Sequence, residues 1–196
     1  MRLFVAGYPP SGAVAHLAGY CAGLHAVRAG VRVARADTWH VTLAFLGEVA
    51  DERLPDVVRA VELAAGTLDA PPRVRVSGGG TFGRGPSTTL WAGLAGAVAD
   101  VEELGRRVRR ALGRARLDYD HKPVRPPLTL ARPGDRVPAA LVDEDLASLA
   151  AYAGPEWTFD AAVVVRSTLG AVARYEPLRT VPVGRAAPAS PAPLGQ

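Results

Sequence analysis

The chain has 196 residues, 48% of them hydrophobic, so it can bury a substantial core in one domain or in two small lobes. Its single cysteine, Cys21, excludes an internal disulfide bond, and no apolar run reaches the ~20 residues that a membrane helix needs. The net charge of +4 and the pI of about 9.7 permit a nucleic-acid partner, although an arginine-rich coding bias explains them equally well.

Runs rich in Val, Leu, Thr and aromatic residues predict strands along the whole chain. These strands lie near residues 2–7, 40–46, 72–78, 88–94, 127–132, 159–166 and 174–182. Apolar residues at helical spacing predict helices between them, after Ser11, after Asp51, over 98–112 and over 142–152. This mixture indicates an α+β protein with antiparallel sheets.

Three segments between or after these elements have biased compositions. The glycine-rich run 78–85 lacks the Gly-Lys-Ser/Thr ending of a phosphate loop, so we expect a flexible connection between strands. The longest helix carries arginines that we expect on a solvated face, with RNA steering as the alternative; they are Arg106, Arg107, Arg109, Arg110, Arg114 and Arg116. Residues 185–196 are rich in Pro and Ala, and we expect a disordered tail after a domain at 1–184.

Two short segments, HVTLAFLG at 40–47 and PLTLAR at 127–132, resemble each other. Successive side chains of a strand point to opposite faces, so His40 and Thr42 share one face, as do Pro127 and Thr129. An imidazole can move a proton near neutral pH, and a threonine hydroxyl can donate a hydrogen bond to a phosphoryl oxygen. A single His-x-Thr pattern is more often part of an ordinary half-buried strand, but here the pattern is repeated with only one histidine.

The flanks of both segments extend this pattern across residues 1–182. The matching residues are RLFVA at 2–6, Trp39 with the His40 motif, Phe82, LWAG at 90–93, VRPPLTLAR at 124–132, RSTL at 166–169 and RYEPL at 174–178. This ordered set resembles the RNA 2′,3′-cyclic phosphodiesterase (2′-5′ RNA ligase) family of two-histidine phosphoesterases. The resemblance implies two pseudo-symmetric lobes of antiparallel sheet plus helices around a central cleft that both motifs line.

The resemblance also implies a reaction. The chain would be a metal-independent RNA 2′,3′-cyclic phosphodiesterase that hydrolyses a terminal 2′,3′-cyclic phosphate to a 2′-phosphate. His40 would be the proton donor, and Thr42 and Thr129 would hold the phosphate. The implied ligands are RNA ends with a 2′,3′-cyclic phosphate or nucleotide phosphates, with no cofactor, no membrane and no obligate protein partner. We therefore expect a monomer, and the single cysteine and lack of a signal peptide lead us to expect the cytoplasm.

Two further residues are expected to bind substrate. Arg132 falls where the family motif has an arginine that meets the phosphate, and a guanidinium can bind phosphate in a bidentate manner. Strand alternation places Arg132 on the opposite face from Thr129, so a bulge or a strand end is needed for both to reach one ligand. Phe82 is expected to stack on a nucleobase, with Trp39 as the alternative stacking residue.

The sequence departs from the family pattern at Pro127, where the family has its second histidine. That histidine would be the base that activates water, and proline has neither an ionisable group nor a backbone N–H. General acid or base assistance contributes about 10²–10⁴-fold, so its loss should cripple hydrolysis. The alternative is a catalytically degenerate module that binds RNA ends or nucleotide phosphates. A substitute base from His121 requires the chain to fold back, since an extended chain puts the two residues roughly 20 Å apart.

Overall fold

The computed structural model describes residues 1–122, 128–168, 170 and 174–185 of the chain. The strands are β1 (Arg2–Gly7), β2 (Arg32–Val33), β3 (Val41–Glu48), β4 (Arg73–Phe82), β5 (Thr89–Gly96), β6 (Leu128–Arg132), β7 (Ala153–Thr158), β8 (Ala161–Thr168) and β9 (Arg174–Pro182). The helices are α1 (Ser11–Cys21), α2 (His25–Arg28), α3 (Leu54–Ala65), α4 (Val98–Arg114) and α5 (Ala139–Ala151).

The predicted α+β class with antiparallel sheets is confirmed, and each predicted strand corresponds to an observed one. Two strands escaped prediction. β2 is only two residues long, and β7 contains Gly154 and Pro155, which are rare inside strands but tolerated at the edge position that β7 occupies. The expected flexible connection at 78–85 is wrong over 78–82, because β4 continues through its glycines to Phe82.

The strands form two antiparallel sheets with related strand orders. The first sheet has the order β3-β1-β8-β9, and the second has the order β2-β6-β5-β4-β7. Without the short β2, the two orders correspond strand for strand, with the His40 motif strand β3 matching β6. A helix follows each of the two corresponding strands in both halves, namely α1 after β1 and α3 after β3, then α4 after β5 and α5 after β6. This correspondence is the pseudo-symmetry that the family resemblance implied.

The helices cover one face of each sheet. α3 and α4 pack together, with α4 against β3 and α3 against β8 and β9, while α5 and α1 pack against β4 and β7 of the second sheet. Their apolar stripes are fully buried, as at Leu104 and Val108 of α4 and Leu149 of α5. Each such side chain contributes about 1.5–3 kcal/mol on burial, so these faces stabilise the fold. None of the helices in the described ranges is long and apolar enough to cross a membrane.

The first sheet has a second, smaller apolar cluster on the face away from these helices. It consists of Phe4, Ala6, Val163 and Val165, with Tyr8 and Phe45 packed against it. Phe4 and Ala6 alternate along β1 with Leu3 and Val5, which belong to the main core. The face that the helices leave uncovered is therefore partly aromatic, and we call it the motif face of the first sheet.

Of the predicted tail at 185–196, only Arg185 lies within the described residues. Its backbone N–H donates to the Leu68 carbonyl oxygen at 2.9 Å. Pro127 lies outside the described residues as well.

Candidate functional site

The first motif strand contains a bulge directly after Thr42. β3 pairs with β1 so that Ala44 lies opposite Val5 and Thr42 lies opposite Ala6, which leaves Leu43 as an extra residue. Directly opposed residues share a face, so Thr42 lies with Ala6 on the motif face of the first sheet. The extra residue shifts the alternation, so both Leu43 and Ala44 are buried and Phe45 returns to the motif face.

The second motif strand contains the same bulge at the equivalent position. β6 pairs with β5 so that Ala131 lies opposite Leu90 and Thr129 lies opposite Trp91, with Leu130 as the extra residue. Leu130 and Ala131 are both buried, as their counterparts in β3 are. The two motifs therefore share an irregular backbone as well as a sequence pattern.

This second bulge places Arg132 on the same face as Thr129. Regular alternation would put the two side chains on opposite faces, but the extra residue Leu130 shifts the alternation by one position and returns Arg132 to the face of Thr129. In agreement, both side chains are exposed, while the two residues between them are buried. We call this surface, which carries Trp91, Thr129 and Arg132, the motif face of the second sheet. The bulge that the sequence argument required for one ligand to reach both residues is present.

His40 sits at the entrance to β3 with its ring orientation fixed. Its Nδ1 lies 2.7 Å from the Thr38 carbonyl oxygen. A carbonyl oxygen can only accept, so Nδ1 carries the hydrogen of this bond, and Nε2 is left to exchange a proton with a ligand. This arrangement sets the tautomer that a proton-transfer role requires.

Three aromatic rings surround the His40 imidazole. The ring centroids of Phe4, Tyr175 and Tyr8 lie 4.9, 5.4 and 5.8 Å from that of His40, and Tyr175 meets the imidazole at 90°. Sequence reasoning did not assign Tyr8 or Tyr175 to the site. Tyr8 continues the period-2 spacing of Phe4 and Ala6 on β1, so it could have been found, whereas Tyr175 on β9 reaches His40 only through the fold.

Burial by these rings lowers the pKa of His40, and the hydrogen bond to Thr38 opposes that shift. Burial also raises the pKa of Tyr8 to about 12, with the nearby Tyr175 as the second cause. At neutral pH the free protein therefore holds a neutral imidazole next to a phenol that keeps its proton. The phenol can donate a hydrogen bond but cannot serve as a base.

The aromatic candidates for base stacking differ in exposure. Phe82 is 39% exposed and stacks on Trp91 with ring centroids 5.3 Å apart. Trp39 is only 4% exposed and belongs to the main core, so it presents no face to a ligand. Of the two expectations, only Phe82 is accessible.

The two motif strands are connected through the short strand β2. Val33 of β2 pairs with Ala131 of β6, and the next amide, that of Ala34, donates to the Leu130 carbonyl oxygen at 2.7 Å. The chain then passes through a short 3-10 turn at Ala36–Thr38 and reaches His40. The segment that leads into His40 and the first sheet is thus hydrogen-bonded to Leu130, the bulge residue of the second motif.

Arg109 is one of the arginines predicted on a solvated face, but its guanidinium points inward. Its Nε donates to the carbonyl oxygen of Leu43, the bulge residue, at 3.0 Å, and its Nη1 donates to the Lys122 carbonyl oxygen. Burial lowers the pKa of this guanidinium. Because β3 is an edge strand, Arg109 occupies an acceptor that has no ladder partner. The segment 120–122 also bonds directly to β3, because the Asp120 amide donates to the Phe45 carbonyl oxygen at 2.7 Å.

His121 belongs to this segment, and the structure places the segment beside Phe45 rather than beside His40. Phe45 is about 15 Å along the strand from His40, by the rise of a β-strand. The His121 side chain is exposed and its ring lies 4.4 Å from that of Tyr119. This exposed position fits the solvated loop histidine that the sequence favoured over a substitute base.

A groove between two helices lies away from the motif faces. It has a volume of about 540 Å³ and runs between α3 and α4, with Leu63, Arg107 and Arg110 among its walls and without His40. Among the described residues, no group of three or more His, Cys, Asp or Glu side chains could hold a metal ion. The groove is rich in arginine, but the sequence-predicted site residues His40, Thr42, Thr129 and Arg132 do not line it.

Comparisons with known proteins agree with these features. Residues 8–91 match the family model described as LigT-like phosphoesterase. An RNA 2′,3′-cyclic phosphodiesterase of Thermus thermophilus is 35% identical over 138 residues, which cover 66% of this chain and 64% of that protein. A Geobacillus stearothermophilus protein of the same name is 30% identical over 148 residues, or 75% of this chain and 46% of that protein. The matched part of the chain thus spans about half to somewhat under two thirds of the length of these relatives.

Solved structures share the whole architecture. A Thermus thermophilus protein has a TM-score of 0.70 and 28% identity, and the match covers 94% of this chain and 99% of that one. Escherichia coli LigT in complex with 3′-AMP has a TM-score of 0.68 over 93% of this chain and 97% of that one, with 24% identity, which shows the shared fold. The family model, the curated relatives and the solved fold agree that the chain is similar to LigT-like phosphoesterases, with the family match at residues 8–91.

Proposed function

We propose that this protein is an RNA 2′,3′-cyclic phosphodiesterase that hydrolyses a terminal 2′,3′-cyclic phosphate to a 2′-phosphate. The observation that carries the proposal is the repeated motif strand: His40 and Thr42 lie on one motif face, and the bulge in β6 brings Thr129 and Arg132 onto the same face of the other sheet. The curated relatives named RNA 2′,3′-cyclic phosphodiesterase support the same activity. The ligands would be RNA ends or nucleotide phosphates.

In the proposed reaction a water oxygen attacks phosphorus, and the bond from phosphorus to the ribose O3′ breaks. His40 supplies a proton from Nε2 to the departing O3′, because its Nδ1–H is already committed to Thr38. The free imidazole is neutral, so it must take up this proton when the anionic phosphate binds beside it and raises its pKa. Hydrolysis would therefore be fastest on the acidic side of neutrality.

The phosphoryl oxygens would be held by neutral and charged donors. The hydroxyls of Thr42 and Thr129 donate to them, and the Arg132 guanidinium offsets their negative charge, which strengthens as the transition state forms. Phe82 would contact the nucleotide. These groups stabilise the phosphate without a metal, so we expect activity to persist in a chelating agent such as EDTA.

The base that takes the proton of water is the missing part of this mechanism. Pro127 stands where the family has a histidine. Among the described residues, the rings around His40 belong to Phe4, Tyr8 and Tyr175, and the pKa of Tyr8 is about 12. Hydrolysis would then rely on substrate or on solvent for this proton. Without a base we expect a rate about 10²–10⁴-fold lower than with one.

This same observation favours a second candidate function, that of a module which binds RNA ends or nucleotide phosphates without turnover. Binding would use the hydroxyls of Thr42 and Thr129 and the guanidinium of Arg132, and Pro127 supplies none of these groups. In this case a 2′-phosphate would bind and His40→Ala would weaken its binding only modestly.

One experiment separates the two functions. An RNA oligonucleotide with a terminal 2′,3′-cyclic phosphate is incubated with the unmodified protein, with Pro127→His and with His40→Ala, each with and without EDTA. Hydrolysis by the unmodified protein that His40→Ala abolishes would support the phosphodiesterase. Turnover by Pro127→His alone would support the binding module, and no turnover by either would reject the proposed site chemistry.

We also propose that residues 1–184 form one phosphoesterase-like domain and a monomer that folds without the tail. A chain truncated after Arg185 should keep the melting temperature and the elution volume of the full chain. A lower melting temperature would show that the tail contributes to the fold.

A further inference from the structure

The groove between α3 and α4 lies on the opposite side of the first sheet from His40 and Thr42. α3 and α4 pack against the face of this sheet that belongs to the main core, whereas the motif face is the other one. A nucleotide at the motif face is therefore separated from the groove by the sheet itself. The groove is thus a surface separate from that of the proposed reaction.

The groove is about three helical turns long. The α3 side chains that line it extend from Asp56 to Thr67, a rise of about 16 Å at 1.5 Å per residue. Arg53 before α3 donates to the carbonyl oxygen of Ala115 after α4, and Arg107 of α4 donates to the Thr67 carbonyl oxygen after α3, each at 2.8 Å. The two helices are therefore antiparallel, and a third helix of about three turns matches the length of the groove between them.

The floor of the groove is apolar. Ala60 and Ala64 of α3 are buried there, and Ala111 and Ala115 of α4 are half-buried. The distance between packed helices depends on the side chains at the contact, so these small residues let another helix approach closely. Leu63 stands in the wall and is 65% exposed, the most of any large hydrophobic side chain in the described ranges. Recognition of a helix in a groove relies on apolar contacts of this kind.

The sides of the groove are basic. Four arginines line it, and they are Arg59 on α3 and Arg107, Arg110 and Arg114 on α4. Within the part of the chain that the structure describes, Arg59, Arg110 and Arg114 have no acidic side chain at ion-pair distance. The acidic residues that line the groove, Asp56 and Glu103, each pair with another arginine, at 2.6 and 2.8 Å. Three guanidinium groups without a counter-charge favour an anionic occupant.

The apolar floor and the basic sides together indicate one kind of occupant. We propose that the groove between α3 and α4 is a docking site for an amphipathic helix of a partner protein. The apolar side chains of that helix lie against Leu63 and the alanine floor, and its acidic side chains pair with Arg59, Arg110 and Arg114. RNA is less suitable, because none of the side chains that line the groove is aromatic, whereas grooves that hold single strands add aromatic rings on which bases stack.

A designed peptide tests this docking site. The probe has about 15 residues, since shorter helices are marginal in water, with Leu at i, i+3, i+4, i+7 and i+11 and Glu at the flanking positions. A second peptide has the same composition in a scrambled order without an apolar stripe. The labelled peptides are titrated with the full chain, and binding is measured by fluorescence anisotropy. The amphipathic peptide should bind at least about tenfold tighter than the scrambled one, because both carry the same charge.

Variants on the two sides of the groove separate charge from apolar contact. Arg110→Glu replaces an exposed ion pair by repulsion and should weaken binding about threefold to thirtyfold. Arg28→Glu makes the same change of charge on α2, away from the groove, and should leave the affinity within about twofold because of screening. Leu63→Ala should weaken binding about tenfold, whereas Leu63→Met should preserve it, since methionine conserves the volume of leucine. All three positions are exposed, so the melting temperatures should stay unchanged.

The outcomes support or overturn the docking site. Tighter binding of the amphipathic peptide that Arg110→Glu and Leu63→Ala weaken and Arg28→Glu preserves supports it. Equal binding of both peptides, equal loss in Arg110→Glu and Arg28→Glu, or no binding up to about 1 mM overturns it. Displacement of the peptide by a single-stranded RNA whose own binding Arg110→Glu weakens would assign the groove to RNA instead. None of these outcomes alters the test of the motif faces, because no varied residue lies there.

Discussion

The two motif strands have the same backbone and different chemistry. Each has a bulge one residue after its threonine, at Leu43 in β3 and at Leu130 in β6, so in each strand the side chain three positions after the threonine returns to the motif face. That side chain is Phe45 in the first motif and Arg132 in the second. The first motif has aromatic rings packed around a half-buried imidazole, whereas the second exposes a hydroxyl and a guanidinium.

This difference suggests a division of labour between the two strands. Burial beside aromatic rings tunes a proton-transfer group, because it controls the pKa of the imidazole. An exposed guanidinium binds an anion at little desolvation cost, because water still reaches it when no ligand is present. In the proposed mechanism, the duplicated backbone would therefore carry a proton donor on one side and an anion-binding group on the other.

The largest effect should come from making the second motif a copy of the first through Arg132→Phe. A charged hydrogen bond contributes about 1.5–3 kcal/mol, so we expect affinity for inorganic phosphate to fall by about 10-fold to 100-fold. Arg132 is exposed, so the melting temperature should stay unchanged. Arg166→Ala removes an arginine that pairs with Glu176 elsewhere and should leave phosphate binding intact. Equal phosphate affinity in Arg132→Phe and the unmodified protein would exclude Arg132 from the site.

A smaller effect, on stability, should follow from removing the side chain that anchors the first bulge. Arg109→Ala leaves the carbonyl oxygens of Leu43 and Lys122 without this donor, which should lower the free energy of unfolding by about 1–3 kcal/mol. Arg110→Ala, one position along α4, removes an exposed arginine and should change stability by less than about 0.5 kcal/mol. Urea denaturation of the two variants measures both values, and equal stabilities would show that the anchor contributes nothing.

The residues just discussed also show how far the sequence could predict this site. The strands, the α+β class and the accessible candidates His40, Thr42, Thr129 and Arg132 could be found from short-range patterns, because alternation and the repeated motif are local. Whether Arg132 shares a face with Thr129 could not be decided, since a bulge changes the alternation without a distinct sequence signal. The structure supplies that bulge twice.

The sequence could not predict that Arg109 bonds to β3 or that Tyr175 packs against His40, because both contacts join elements that are distant in the sequence. Arg109 looks like its solvated neighbours on α4 because helical periodicity places it at the border of the polar face, and only the nearby edge of β3 gives it a partner. The glycines at 78–80 led to the wrong prediction of a flexible connection, although they lie within β4. Glycine is a strong turn signal, yet here close approach of Trp91 on one face and Leu149 on the other requires it within a strand.

The smallest expected effect is on the pH dependence of the free energy of unfolding, to which the partial burial of His40 in the first motif contributes. Burial lowers the pKa of His40 in the folded protein below its value in the unfolded chain, about 6.5. As the pH falls below that value the unfolded chain binds the proton first, so this group makes the free energy of unfolding decrease until the folded-state pKa is reached. His40→Gln should remove that part of the pH dependence.

Bound phosphate should act on His40 in the opposite direction to burial. An anion beside Nε2 favours the imidazolium, so inorganic phosphate should bind more tightly as the pH falls from 8 to 6 and take up a proton as it does. His40→Gln should bind phosphate with less pH dependence, while Arg132→Phe should bind it weakly at every pH yet keep the dependence. Identical pH profiles of stability and of phosphate affinity in His40→Gln and the unmodified protein would mean that the imidazole neither destabilises the fold by its burial nor meets the ligand. In that case the aromatic half of the molecule would have no part in the chemistry assigned to the first motif.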